Sequence, residues 1–318
     1  MKLNSLRILV LLLFCLSHLD RVVAQDAIFS QFYSSPLYLN PAFAGSGHDY
    51  RLVMNYRNQP FPNFGTFSTI NLGIDAHAPG LFGGLGLLVT SDHQGELLMK
   101  NQLSAIYAFH LQAGENFFIN FGAQTGYYRQ DLRWDRLEFA ESGEVPPGQT
   151  WTHASNFAAG ILLYSDRLYG GIAAHNLNRP RESFFDNYGL PMKFTAHIGA
   201  YLGPGQSRGM AAAAPDYFIS PNIIFQNQAD AFRINYGLYA GLQSLIAGVW
   251  FRQELTDPAT LIFLLGINTG NYRIGYSYDY SLSGFTSVKH GAHEISLSIL
   301  FDSEARKLRR RILNCPAF

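Results

Sequence analysis

Histidines are the side chains of this sequence best suited to bind a metal ion. The sequence has ten of them. They are scattered, and they do not form the short-range ligand spacings of zinc sites. The positions considered are His77, His93, His110, His153, His175, His197, His290 and His293. We therefore predict no metal site.

A nucleophile with a neighbouring base would suggest an enzyme. His153 and Ser155 are two residues apart, as in an acyl-hydrolase pair, but residues at that spacing on a strand merely share a face. No third catalytic member is recognisable, and no Gly-x-Ser-x-Gly elbow occurs. We predict that the protein is not an enzyme, with no catalytic residue and no cofactor.

Carboxylates concentrate in one long connection, where they could bind calcium. They are Asp131, Asp135, Glu138, Glu141 and Glu144. Their spacing does not match the EF-hand loop. A solvated acidic loop is the favoured interpretation.

Composition indicates which kind of fold must position these residues. Only 14% of the 318 residues are charged, against about 25% in typical soluble domains, while 14% are aromatic and 30 are Gly. The net charge is zero, which argues against nucleic acid as a partner. After residue 24, no apolar stretch reaches the roughly 18 residues of a membrane helix. The pattern favours a transmembrane β-barrel, with a soluble all-β protein as the alternative.

The first 24 residues have the pattern of an export signal. Lys2 and Arg7 precede the apolar run 8–16, and small residues follow at 22–24. We predict that residues 1–24 are a cleaved signal peptide and that the protein is exported to the outer membrane.

Alternating segments follow almost without interruption. In the stretch 271–301, Tyr272, Ile274 and Tyr276 fall on one face, and Arg273 and Ser277 fall on the other. A period of two over about ten residues predicts a strand long enough to cross a bilayer. Counting such segments gives about fourteen strands and a barrel over residues 48–301. Several charged residues are expected to face the lumen or its rims: Arg51, Asp75, Lys193, Arg233, Arg273 and Asp279.

The segment before the first strand carries a specific motif. Gln25–Tyr33 reads QDAIFSQFY, and 35–45 reads SPLYLNPAFAG. The segment has neither a helical nor an alternating pattern, and its two prolines exclude a paired central strand. The density of aromatics predicts packing against the rest of the protein.

This motif closely resembles the opening of the PorP/SprF family, outer-membrane proteins of the type IX secretion and gliding systems of Bacteroidetes. Further similarities are at Ser220–Asn222, Tyr278–Tyr280, His293–Leu297 and Cys315–Pro316. The resemblance implies a non-enzymatic barrel that binds secreted cargo through the cargo's C-terminal targeting domain. It would hold that cargo at the cell surface or link it to the motility machinery.

Two sets of residues become candidates under this hypothesis. Residues 25–47 would pack in or under the barrel as a plug, with Phe29, Gln31, Pro36, Leu39, Asn40, Pro41 and Gly45 as the motif positions. Large loops would contact the cargo or adhesin through Trp134, Phe139, Trp151, Phe184, Phe185 and Tyr188. The other expected partners are outer-membrane lipid and, on the periplasmic side, further type IX or gliding components. A passive pore for small solutes remains the alternative function.

The last segment, 302–318, is basic. It contains Arg306, Lys307, Arg309, Arg310 and Arg311. We expect a solvated periplasmic tail, with contact to a periplasmic partner or lipid headgroups as the second interpretation.

Overall fold

The computed structural model describes most of the chain after the predicted leader. The described residues are 26–47, 50–61, 65–133, 150–181, 184, 189–203, 217–254, 259–282 and 291–301. The predicted signal peptide and the basic tail lie outside these ranges.

Within the described residues, fourteen strands account for nearly all of the chain after residue 49. They are β1 (Tyr50–Phe61), β2 (Gly65–Ala78), β3 (Gly83–Gln94), β4 (Leu98–Gln112), β5 (Phe118–Leu132), β6 (Trp151–Tyr164), β7 (Leu168–His175), β8 (Lys193–Ala200), β9 (Tyr217–Gln228), β10 (Ala231–Leu242), β11 (Leu245–Glu254), β12 (Thr260–Asn268), β13 (Tyr272–Ser281) and β14 (Ala292–Phe301). The predicted all-β fold and strand number are confirmed.

Each strand pairs antiparallel with its neighbours in sequence, and β1 pairs with β14 to close the barrel. At the closure, Tyr56 lies opposite Ile295 and Arg57 opposite Glu294. Closure satisfies the backbone groups of both would-be edge strands, which a sheet surrounded by lipid requires.

The side chains alternate between lipid and lumen as the sequence predicted. On β13, Ile274 is 54% exposed whereas Ser277 is fully buried. The six charged residues predicted for the lumen face inward; five are buried and Arg273 is half-buried. A charged group on the lipid face would cost roughly 2–4 kcal/mol at mid-bilayer, so the inward orientation follows from solvation.

The two ends of the barrel differ in the length of their connections. At the end where β1 begins and β14 ends, most connections are short, as at 79–82, 165–167 and 243–244. At the opposite end lie the longer connections 133–150, 176–192 and 282–291. Long loops are extracellular in such barrels, so we call the second end the outer end and the first the periplasmic end. The periplasmic connection 201–216 is a long exception.

Two local expectations from the sequence were wrong. Asp131 and Trp151 were assigned to the acidic loop, but β5 and β6 extend further and pair these two residues directly. The motif segment was expected to be non-helical, yet it forms short helical turns at Phe32–Ser34, Pro36–Leu39 and Pro41–Phe43. Isolated turns of this length are stable only when packed against other residues.

No helix among the described residues has the length and apolar character needed to cross a membrane.

Candidate functional site: a plugged lumen with a polar outer cavity

Residues 26–47 lie inside the barrel, and we call them the plug. At one end, the Asp26 N–H donates to Gln228 Oε1 (3.0 Å), near the outer end of β9. At the other end, the Gly45 N–H donates to Asp75 Oδ2 (2.7 Å), near the periplasmic end of β2. The plug therefore runs the length of the lumen from the outer to the periplasmic end. The expected packing of the motif segment against the barrel is confirmed.

Four charged side chains of the barrel wall meet beside the plug. Arg57 Nη2 lies 2.8 Å from Asp279 Oδ2, and Arg57 Nη1 lies 3.6 Å from Glu294 Oε2. Arg252 Nη1 lies 3.2 Å from the same Asp279 oxygen. All four residues are buried, so two arginines balance two carboxylates where water screens little. We call these four side chains the charge clamp.

The plug supplies further hydrogen bonds to the charge clamp. The backbone N–H groups of Ser30 and Gln31 donate to the two oxygens of Glu294, at 2.6 and 3.1 Å. The Ser30 hydroxyl donates to Asp279 Oδ2 (2.7 Å) and accepts from Arg57 Nη1 (2.7 Å). Bonds to buried charges are stronger than neutral ones. The clamp and the plug therefore stabilise each other.

Asn40 attaches the middle of the plug to the opposite wall. Its Nδ2 donates to the carbonyl oxygens of Ile161 (3.0 Å) and Ile172 (3.2 Å), and its Oδ1 accepts from the Ala42 N–H (2.9 Å). The wall is shaped to admit this close approach. A methyl group on Gly122 would overlap the plug backbone at Ala42.

A second ion pair fastens the periplasmic end of the plug. Arg51 Nε lies 2.8 Å from Asp75 Oδ1, and Arg51 Nη2 donates to the Phe43 carbonyl at 3.2 Å. Gly45 adopts φ +66°, where a side chain would be strained, and its α-carbon lies against Gly84. These contacts account for glycine at both positions.

Aromatic packing fills the space below the charge clamp. The ring of Phe32 lies 4.9 Å from Trp250, and that of Tyr33 lies 5.4 Å edge-on from Tyr169. These rings belong to one buried apolar cluster joining the plug to strands β5–β12. The cluster therefore packs the plug against this part of the wall.

On the other side of the outer half, the lumen holds a polar cavity of about 70 Å³. We call it the outer cavity, and its lining includes Asp26, Lys100, Gln124, Gln130, Asn156, His175 and Lys193. Asp26 Oδ1 lies 3.6 Å from Lys100 Nζ, and Asp26 Oδ2 accepts from Asn176 Nδ2 at 3.0 Å. The ammonium of Lys193 lies 4.6 Å from the centre of the Tyr38 ring.

The electrostatics of the outer cavity favour an ionised Asp26. Burial alone would raise the pKa of this carboxyl group, but the positive charges of Lys100 and Lys193 outweigh burial. Together with the hydrogen bond from Asn176, they lower the pKa below its ordinary value. The first described residue of the plug therefore carries a negative charge between two lysines.

The motif positions predicted for the plug all lie inside the barrel and are buried: Phe29, Gln31, Pro36, Leu39, Asn40, Pro41 and Gly45. The Gln31 side chain makes two hydrogen bonds to β14: Nε2 donates to the Glu294 carbonyl (2.9 Å), and Oε1 accepts from the Ser296 hydroxyl (2.6 Å). Phe29 packs edge-on against Tyr38, with ring centres 5.1 Å apart.

The loop residues predicted to contact a partner are only partly described. Trp151 is 40% exposed at the outer end of β6, stacks on His153 (5.2 Å) and lies 5.3 Å from the Arg129 guanidinium. Phe184 is half-buried. Trp134, Phe139, Phe185 and Tyr188 lie outside the described residues.

The sequence did not identify several residues that hold the plug. Arg57, Arg252 and Glu294 were not among the residues predicted for the lumen, and the pairing of Arg57 with Glu294 across the barrel closure was not foreseen. A charge in the middle of a membrane-spanning strand was the available signal, because such a residue needs a partner.

The two residues considered as an acyl-hydrolase pair, His153 and Ser155, each contact another residue. His153 stacks on Trp151, and the Ser155 carbonyl accepts from Asn178 Nδ2 at 2.7 Å. Across the ranges described, no group of three His, Cys, Asp or Glu side chains could hold a metal ion.

Several solved outer-membrane barrels resemble this structure. The Ralstonia pickettii toluene transporter TbuX matches with a TM-score of 0.51 and 11% identity, over 83% of this chain and 93% of that one. The P. putida toluene transporter TodX gives 0.48 and 12% identity over 83% and 93%, and Acinetobacter baumannii Omp33 gives 0.46 and 7% over 81% and 100%. At these identities the TbuX similarity supports the barrel fold alone, and the two lower scores support nothing further.

Sequence comparison identifies the family. No curated protein matches this chain significantly. The model of the family described as type IX secretion system membrane protein PorP/SprF matches residues 22–299, nearly the whole chain. That span includes the plug and thirteen complete strands together with most of β14. The chain therefore belongs to the PorP/SprF family of type IX secretion system membrane proteins.

Proposed function

We propose that this protein captures secreted type IX cargo at the outer face of the outer membrane and holds it there or links it to the secretion and gliding machinery. The observation that carries the proposal is the plug, which runs through the lumen and is held by buried ion pairs and hydrogen bonds. A lumen occupied by the chain itself is poorly suited to passing substrates. A partner from outside would instead meet the outer cavity and the outer loops.

The cargo would bind through its C-terminal targeting domain, with aromatic loop residues as anchors. Trp151 supports this role because it is exposed beside Arg129, and Trp and Arg are enriched at the energetic centres of protein interfaces. The remaining loop candidates, the periplasmic connection 201–216 and the basic tail 302–318 are proposed contact segments. The last two would face periplasmic components of the system.

Deleting the gene and taking a census of cell-surface proteins tests the capture role. We expect one or a few adhesin-like proteins to disappear from the surface, and the wild-type gene to restore them. Complementation with Trp151→Ala should restore less surface protein. A matched control is Tyr217→Ala, which removes an aromatic side chain that is 61% exposed at the periplasmic end. An unchanged surface in the deletion strain would contradict capture.

A passive pore for small solutes is the second candidate function, and charged lumen residues favour it. In this structure Arg51 pairs with Asp75, which also accepts a hydrogen bond from the plug, and Asp279 belongs to the charge clamp. These charges are therefore engaged within the protein. Planar-bilayer recording separates the two candidates. We expect closed traces for the wild-type protein, and steady open channels would favour the pore.

A further inference from the structure

The wall of the outer cavity carries buried polar atoms that lack a protein partner among the described residues. They are Gln124 Oε1, Gln130 Oε1, Asn156 Oδ1 and both ring nitrogens of His175. Each of these residues is at least nine-tenths buried. A buried polar atom without a partner costs about 1–3 kcal/mol, so such a cluster indicates that the site forms hydrogen bonds with a ligand or with water.

The same cavity also binds a negative charge. Lys100 Nζ lies 3.6 Å from Asp26 Oδ1, and Lys193 lines the cavity beside the same carboxylate. This carboxylate belongs to the first described residue of the plug. Its position shows where a carboxylate fits between the two lysines.

These two features select the chemistry of a ligand. The amide oxygens accept hydrogen bonds from N–H donors, whereas the ammonium groups bind a carboxylate. The lining also includes Asp92, whose two carboxylate oxygens already accept hydrogen bonds from Thr69 Oγ1 (2.6 Å) and Gln94 Nε2 (3.0 Å). A metal cation would meet the two lysines and is disfavoured. A peptide segment ending in a free carboxylate offers both kinds of group.

The size and position of the cavity agree with this ligand. A volume of about 70 Å³ holds roughly five water molecules at 10–15 Å³ each, or the end of a peptide chain once that water is displaced. The lining includes Gln94 and Leu98, which flank the outer turn between β3 and β4. The cavity therefore lies at the outer end, where a secreted partner would arrive.

We propose that the outer cavity binds the carboxylate end of a peptide chain, which competes with the Asp26 carboxylate for Lys100 and Lys193. This proposal rests on the cargo-capture function and adds the chemical class that the site recognises. Asp26 is then a built-in occupant: it neutralises the lysines in the free protein and weakens the binding of a competing carboxylate.

Calorimetric titration of the full-length protein in detergent micelles tests the proposal. The probe is N-acetyl-triglycine as the free acid, compared with its C-terminal amide and with sodium acetate. We expect the free acid to bind about tenfold more tightly than either comparator, because hydrogen bonds to a charged group are worth about 1.5–3 kcal/mol and 1.4 kcal/mol is tenfold.

Substitutions locate the binding. Lys193→Met should weaken binding of the free acid about tenfold, whereas Asp26→Asn should strengthen it by removing the competing charge. A misfolded protein cannot produce that gain. The matched control is Arg167→Met, which removes one positive charge from an exposed periplasmic turn and should leave the affinity unchanged.

Each other result overturns the proposal. Equal binding of acid and amide would exclude recognition of the carboxylate, and equal binding of acetate would reduce the site to an anion site. No binding to either the wild type or Asp26→Asn would leave a cavity that holds only water. If the peptide does not bind but gene deletion still removes surface proteins, the capture role stands and only this site assignment fails.

Discussion

The charge clamp and the outer cavity occupy opposite sides of the outer lumen. They differ in how their buried polar groups are paired. In the clamp, Arg57 and Arg252 lie within 4 Å of carboxylates that also accept hydrogen bonds from the plug. In the cavity, Gln130 and Asn156 keep amide oxygens without a partner among the described residues. Of the four carboxylate oxygens of the clamp, Asp279 Oδ1 alone lacks a hydrogen-bond partner among the described residues. The clamp therefore has the features of a structural lock, whereas the cavity retains more free binding capacity.

This difference indicates which side of the lumen can tolerate substitutions without loss of the fold. Breaking a buried ion pair leaves a charge in a poorly screened site, which is expensive. Replacing a buried amide whose oxygen has no partner removes an atom that was already unsatisfied, which costs little. Stability should depend on the clamp, and ligand binding should depend on the cavity.

The largest effect is expected from deleting residues 26–47. Both sides of the lumen would lose their contacts with the plug, the aromatic cluster would lose Phe32 and Tyr33, and the clamp would lose its backbone donors. We expect no assembled barrel, measured as loss of the folded, heat-modifiable band on gels. A folded and functional truncated protein would show that the plug is dispensable.

Arg57→Met tests the clamp alone. The substitution leaves Glu294 buried without its arginine, which should lower the free energy of unfolding by about 3–5 kcal/mol. Urea unfolding in detergent or lipid vesicles measures this change. Arg129→Met is the control, because it breaks an exposed pair of similar length, 2.7 Å to Asp131, and should leave the unfolding midpoint unchanged. Equal effects of the two substitutions would contradict a structural role for the clamp.

Gly122→Ala tests whether the wall is shaped around the plug. The added methyl group would overlap the plug backbone at Pro41 and Ala42, and overpacking of this kind typically costs about 1–3 kcal/mol. The same urea titration should detect the loss. Gly80→Ala serves as the control because its added methyl group would meet no atom within 4 Å. If both variants unfold at the same urea concentration as the wild type, the close approach is unimportant.

Gln130→Leu tests the cavity side. It removes an amide whose oxygen has no partner among the described residues. We therefore expect the free energy of unfolding to change by less than about 0.5 kcal/mol or to increase slightly. A loss of stability as large as the loss caused by Arg57→Met would show that the clamp and the cavity do not differ in this way.

The pH dependence of Asp26 should give the smallest effect. Its folded-state pKa is lowered, so its contribution to stability is present above the unfolded-state pKa of about 3.9 and is lost as the pH falls through the folded-state value. The difference in unfolding free energy between the wild type and Asp26→Asn should therefore shrink as the pH falls below about 4. A difference that is constant from pH 7 to pH 3 would mean that Lys100 and Lys193 do not stabilise this carboxylate.

Much of the fold could be predicted from local patterns. The alternation in segments such as 272–280 predicted both the strands and the inward orientation of Arg273 and Asp279. Strand ends were less predictable, as Asp131 and Trp151 show, because pairing continues past the point where the apolar pattern stops. The plug motif was recognisable, but its short helical turns depend on packing that no local pattern records.

The sequence by itself indicated about fourteen strands and favoured a membrane-crossing barrel over a soluble all-β protein. A period of two and the scarcity of charge are properties of neighbouring residues, and the bilayer leaves few other ways to satisfy a strand's backbone. Only the tertiary structure decided which inward residues meet. The Ser30 N–H donates to a carboxylate 264 positions away. An alternating pattern predicts that a side chain points inward, but it does not predict which residue that side chain contacts. The clamp and the outer cavity follow from closure of the barrel around the plug, which brings distant strands to opposite sides of one segment.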